Sequence, residues 1–162
     1  MFALLAAAAP WAQAQQARPV SFSARLAFSE AVLPAAPGGS CLLIGHLTGS
    51  GSSSALGRVT ASTQDCINAR DAAATSFSFH NNQAPMGVEF IGESGDRLFA
   101  RYSGTLTPRT GAPHRISGMF VITGGSGRYT GASGGGIVDG YEDISQPGAG
   151  RGEVSFMGVL SH

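Results

Sequence analysis

Apolar and polar positions alternate along most of this chain. Val20, Phe22, Ala24, Leu26 and Phe28 fall on one face of an extended segment, and Ser21, Ser23 and Arg25 on the other, a period of two that predicts a strand over residues 20–28. The same reading, helped by β-branched and aromatic content, predicts strands over residues 41–48, 56–63, 75–80, 86–91, 97–106, 115–123, 137–142 and 153–160. Between them lie a loop with Pro34, Pro37, Gly38 and Gly39, a Gly/Ser stretch at 49–54 and a polar segment at 64–71. A loop at 107–113 with two prolines and a tight turn at Gly124, Gly125, Ser126 and Gly127 complete the punctuation. Residues 86–91 and 97–106, joined through Glu93, Ser94, Gly95 and Asp96, make the clearest hairpin. Only residues 69–74 offer a turn of helix as an alternative. Short strands with hairpin-length connections predict an all-β fold, a small closed antiparallel barrel of about eight strands, since closure removes exposed edges.

Composition agrees with this picture and narrows the partners. A length of 162 residues suits one domain, and the 24 glycines follow no G-X-Y period, so they read as turns and close backbone approaches. Lys+Arg 10 balances Asp+Glu 10, and all the basic residues are scattered arginines, which argues against a nucleic-acid partner.

The apolar run at residues 2–9 leads through Pro10 and Trp11 to the small-x-small step Ala12, Gln13, Ala14 and then to polar Gln15 and Gln16. That order predicts a signal peptide over residues 1–14, a mature domain over 15–162, and a secreted or periplasmic location, although no Arg or Lys precedes the apolar run. An N-terminal helix folded into the domain is the alternative. No later run approaches the ~20 apolar residues that cross a membrane as a helix. In an oxidising compartment Cys41 and Cys66 are expected to close a disulfide, the alternative being a reactive thiol at Cys66.

The segment FVITGGSGRYTGASGGGIV at 120–138 resembles the I-T-G-G-x-G-x-[FY]-x-G-A-x-G signature of allene oxide cyclase-like barrels, and is similar to the V-G-G-T-G-x-F segment of dirigent proteins. Residues 93–104, ESGDRLFARYSG, and 152–160 resemble the exported bacterial branch of the same superfamily, so the likeness runs from about residue 86 to 160. The resemblance implies an eight-stranded barrel whose lumen holds an apolar reactive ligand and steers its cyclisation or coupling without a cofactor. Glycines that turn the chain sharply, and Tyr129 tucked against Gly131 and Ala132, also give this block a purely structural reason.

Such chemistry needs polar groups inside the barrel. Glu89 opposes Val88 and Phe90 on its strand, and Arg101 opposes Ala100 and Tyr102 on the next; which face is the lumen is left open, since Ile91 and Phe99 make both faces partly apolar. Facing inward, Glu89 and Arg101 form a buried pair that binds or polarises a ligand; facing outward, an ordinary surface pair. Glu89, Tyr102 and His46 are the candidate catalytic residues, and Arg101 and His80 the candidate ligand-binding residues; for Tyr102 and the histidines the competing role is packing. His46, His80, His114 and His162 have no metal-ligand spacing, so no metal site is expected, and no G-x-S-x-G elbow or phosphate-binding loop is present.

Two functional classes remain. One is a barrel that binds a small apolar ligand without catalysis; the other is a cofactor-free cyclase or isomerase acting on an unsaturated, oxygenated substrate. Apolar residues on both faces of the strands at 115–123 and 153–160 further predict a homo-oligomer.

Overall fold

A computed structural model describes residues 18–71, 73, 75–81 and 87–162. The expected signal peptide at 1–14 lies outside these. Among the described residues nine strands follow one another: β1 (Val20–Pro34), β2 (Leu43–Ser53), β3 (Gly57–Ala69), β4 (Phe77–Asn81), β5 (Val88–Gly92), β6 (Arg97–Arg109), β7 (Ala112–Ser126), β8 (Ser133–Gln146) and β9 (Ala149–Ser161), with a 3₁₀ turn at Gly127–Tyr129. All pairings are antiparallel. The order β2-β1-β9-β8-β7-β6 continues through β4 and β5 to β3, and β3 pairs with β2, which closes the ring. β4 pairs with the last residues of β3 and β5 with an earlier stretch, and both also pair with β6. These two short strands therefore share one place, and the nine strands fill the eight places of a closed barrel.

Several strands run further than local composition predicted. The Gly/Ser stretch stays in β2 because its glycines serve a close approach: a Cβ on Gly51 would stand 1.9 Å from the Arg25 carbonyl oxygen of β1. The polar stretch after Thr63 stays in β3, where Asp65 turns inward and is buried. The two prolines of 107–113 occupy strand ends rather than a long loop, and only Thr110 and Gly111 make the turn, with Gly111 at φ +67°. Gly124 to Ser126 likewise extend β7, so the turn comes at Gly127, whose φ is +63°.

Alternation puts Phe22, Leu26, Phe90, Phe120 and Phe156 inside. Phe156 packs against Phe90 and Phe120 with ring centroids 5.2 and 5.4 Å apart, and Phe120 reaches Phe22 at 5.8 Å, so aromatic rings span the middle of the barrel. Leu56, Val59, Leu98, Ile122, Tyr129 and Leu160 fill the end below them. Tyr129 is a plug: its hydroxyl donates to the Ala55 carbonyl, and the neighbouring Arg128 pairs with Asp96 at 2.9 Å. A Cβ on Gly125 would stand 2.8 Å from the Tyr129 Cβ, so the glycine block shapes the bed on which this ring lies.

At the opposite end, Cys41 and Cys66 form the expected disulfide, with Cα atoms 5.2 Å apart. It fastens the loop between β1 and β2 to the outer face of β3, helped by hydrogen bonds from the Leu42 N–H to the Ile67 carbonyl and the Asn68 side chain. Among the described residues no helix is long and apolar enough to cross a membrane.

Candidate functional site in the barrel lumen

The aromatic layer and the Tyr129 plug leave the other half of the lumen partly unfilled. A cavity of about 250 Å³ lies there, walled by apolar side chains including Leu26, Phe28, Ala61, Phe79, Val138 and Val154. Its rim includes Gln146, Pro147 and Gly148 of the exposed β8–β9 turn, so it reaches the surface at the end held by the disulfide.

Into this apolar chamber project Glu30, Thr63, Asp65, Tyr102 and Glu142. The three carboxylic residues come from alternate strands, β8, β1 and β3, and glycines on the intervening strands make room for them. Glu30 is paired in register with Gly150 of β9, and Asp65 with Gly45 of β2. A Cβ on Gly45 would stand 1.8 Å from Glu30 Oε1, and one on Gly150 would stand 1.9 Å from Glu142 Oε1 and 3.3 Å from Glu30 Oε2. These two glycines are thus permissive for an acidic layer across three strands.

Burial governs its protonation. Glu30, Asp65 and Glu142 are only 8, 5 and 6% exposed. Loss of water disfavours their charged forms and pushes all three carboxyls up, Asp65 to about 7. The Tyr102 hydroxyl donates to Asp65 Oδ1 at 2.7 Å, which opposes the rise at Asp65. The neighbouring Glu142 carboxyl adds to the rise at Glu30, since two carboxyls side by side resist a second charge. Burial and the nearby Asp65 carboxylate hold the Tyr102 hydroxyl well above its ordinary range, so it is a donor, not a phenolate. Thr63 Oγ1 and Glu142 Oε1 are buried without a hydrogen-bond partner among the described residues.

Of the residues singled out in the sequence, Tyr102 is in the cavity. Val88 and Phe90 are buried, which resolves the two-sided reading of β5: Glu89 points outward and pairs with Arg97 at 2.7 Å. Arg101 is exposed on the outer face of β6, opposite Val121. His46 and His80 are exposed and also lie outside the lumen, because they alternate with inward Gly45 and Phe79. Among the described residues no group of three or more His, Cys, Asp and Glu is placed to hold a metal ion. Glu30, Asp65 and Glu142 were not singled out from sequence, yet each carries the parity of its strand's inward positions: Glu30 follows Phe28, Asp65 follows Ala61 and Thr63, and Glu142 precedes Ile144.

No family model, curated protein or solved structure matches this chain.

Proposed function

We propose that this chain is an exported barrel that binds a small, mainly apolar ligand in the open half of its lumen. The carrying observation is the 250 Å³ apolar cavity with a confined set of polar groups at one wall, the usual anatomy of a small-molecule site. Ala61 lines that cavity and is only half-buried, so Ala61→Trp fills space a ligand would take. The neutral apolar dye N-phenylnaphthylamine is expected to brighten on mixing with the mature protein and not with Ala61→Trp, while circular dichroism shows both folded. No brightening with the parent protein, or equal brightening with both, counts against a lumen site.

A second reading, a cofactor-free cyclase or isomerase, is supported by the Tyr102–Asp65 pair, which faces the cavity and combines a proton donor with a carboxyl poised near neutrality. It accords with the resemblance of the 120–138 segment to allene oxide cyclase-like barrels. On this reading the protein converts an unsaturated epoxide into one enantiomer of a cyclic product, and Asp65→Asn or Tyr102→Phe removes that bias. A racemic product identical to the buffer control rejects the reading.

Export is supported by the small-x-small step at Ala12 to Ala14 and by the disulfide. N-terminal sequencing of secreted material should begin at Gln15. A homo-oligomer is supported by the outer face of β7, β8 and β9, where Met119, Val121, Ile137, Met157 and Val159 are exposed together.

A further inference from the structure

Donors and acceptors at the polar wall of the cavity are badly mismatched. Glu30, Asp65 and Glu142 bring six carboxyl oxygens, whereas the Tyr102 hydroxyl is already spent on Asp65. Glu142 is more than nine-tenths buried and lines the cavity, yet its Oε1 has no partner among the described residues; the same holds for Thr63 Oγ1. A buried acceptor left in this condition costs free energy, so the wall favours an occupant rich in N–H or O–H donors.

Charge narrows the choice. Among the described residues the ionisable groups facing the cavity are Glu30 of β1, Asp65 of β3, Tyr102 of β6 and Glu142 of β8, with no Arg, Lys or His; β2 and β9 contribute glycines beside the acids. The described arginines that pair with carboxylates do so on the outside, as Arg25 does with Glu153 and Arg115 with Asp139. Any positive charge that would let this cluster ionise must therefore arrive with the occupant. An anionic head is repelled, and a neutral hydroxyl supplies one donor and adds acceptors of its own. An ammonium group supplies three donors, no acceptor and the balancing charge. The remaining walls are apolar and suit an aliphatic or aromatic body.

Resting on the lumen-binding reading above, we propose that the site takes the protonated amino head of a small amphiphilic amine, seated between Glu30, Glu142 and Asp65 with its apolar body in the chamber below. Seating the cation lets the carboxyls ionise, so binding releases protons to solvent and tightens as pH rises while the amine stays protonated.

The test is calorimetric titration of the mature protein with octylamine, octanol and octanoate, which share one body and differ only in the head. At pH 7 octylamine is expected to bind at least about tenfold tighter than octanol, with octanoate weakest and with protons released in buffers of different ionisation enthalpy. Glu30→Gln/Glu142→Gln should reduce both the preference and the proton release, leaving Asp65 as the one carboxyl able to ionise on binding. Octanol binding as tightly as octylamine, or amine binding without proton release, overturns the cationic head and leaves the apolar cavity standing. Failure of all three, together with failure of the dye to brighten, overturns the lumen site itself. Because the preference among heads and the proton count are read on the parent protein, a variant that does not fold leaves the proposal fully exposed to rejection.

Discussion

Asp65 shows how much one residue's setting changes its chemistry. In the unfolded chain its carboxyl ionises near 3.8, and in the barrel burial raises that to about 7. Below the lower value both states hold the proton and Asp65 does not affect the balance. Above it the unfolded state ionises while the native state keeps its proton, so stability falls as pH rises toward 7 and levels off beyond it. Glu30 and Glu142 act in the same direction. Asp71 acts oppositely: hydrogen bonds from Thr75 and Ser76 hold its carboxyl well below the ordinary range, and that support disappears in strong acid. The thermal midpoint is thus expected to peak in mild acid and decline between about pH 4 and 9, Asp65 contributing up to about 7 and Glu30 up to about 9. Asp65→Asn keeps an acceptor for Tyr102 and removes the ionisation cost, so it should stabilise the protein by roughly 4 kcal/mol at pH 8, about three pKa units at about 1.4 kcal/mol each, and flatten the decline. Denaturant titration at pH 5 and 8 checks this, and a decline as steep in Asp65→Asn as in the parent would refute it.

At the scale of elements, the strands are defined as much by where they lack side chains as by where they bear them. Gly45 and Gly150 share their strands' inward faces with the acids' oxygens, so Gly45→Ala must displace the Glu30 carboxyl. Crowding of this kind costs about 1–3 kcal/mol. The cost should shrink in Gly45→Ala/Glu30→Ala, and additive costs in a double-mutant cycle would contradict the contact. The loop before β2 depends on a different device. Its bond from Cys41 to Cys66 spans 25 residues, and opening it in Cys41→Ser/Cys66→Ser is expected to cost about 3 kcal/mol on the chain-entropy account. Because the bond fastens this loop to β3, proteolytic nicking within residues 35–42 should increase first, read by mass spectrometry of limited digests. The extents of these strands were only partly legible beforehand. Gly, Ser and Pro in β2, β6 and β7 carry the composition of loops, but a barrel strand tolerates them where a neighbouring backbone comes close or a ladder ends.

Over the whole molecule, one apolar layer is inside and a second is outside. Met119, Ile137 and Met157 stand in register across β7, β8 and β9, and Val121, Gly135 and Val159 form the next row; Met119 is 67% exposed. Small neighbours, Ser21, Ser23 and Ser103, keep the surrounding surface low. If this face meets a second copy, light scattering will show an oligomer, and Ile137→Arg, at the centre of the first row, will return a monomer with its barrel intact by circular dichroism. A parent protein that is monomeric at working concentration would dismiss the assembly.

The alternation from Val20 onward, the spacing of turns and the pair of cysteines pointed by themselves to the class of this protein: an all-β antiparallel fold of about eight strands in which one disulfide is expected. These are properties of local period and count, which survive without knowledge of what packs where. The pairing of strands alone decided which face of β5 and β6 is the lumen, moved Glu89, Arg101, His46 and His80 outside, and left Tyr102 within. It also gathered Glu30, Asp65 and Glu142, from strands far apart in the chain, into one buried layer beside two glycines. No local pattern encodes that gathering, because it comes from register and closure, and those depend on every strand at once.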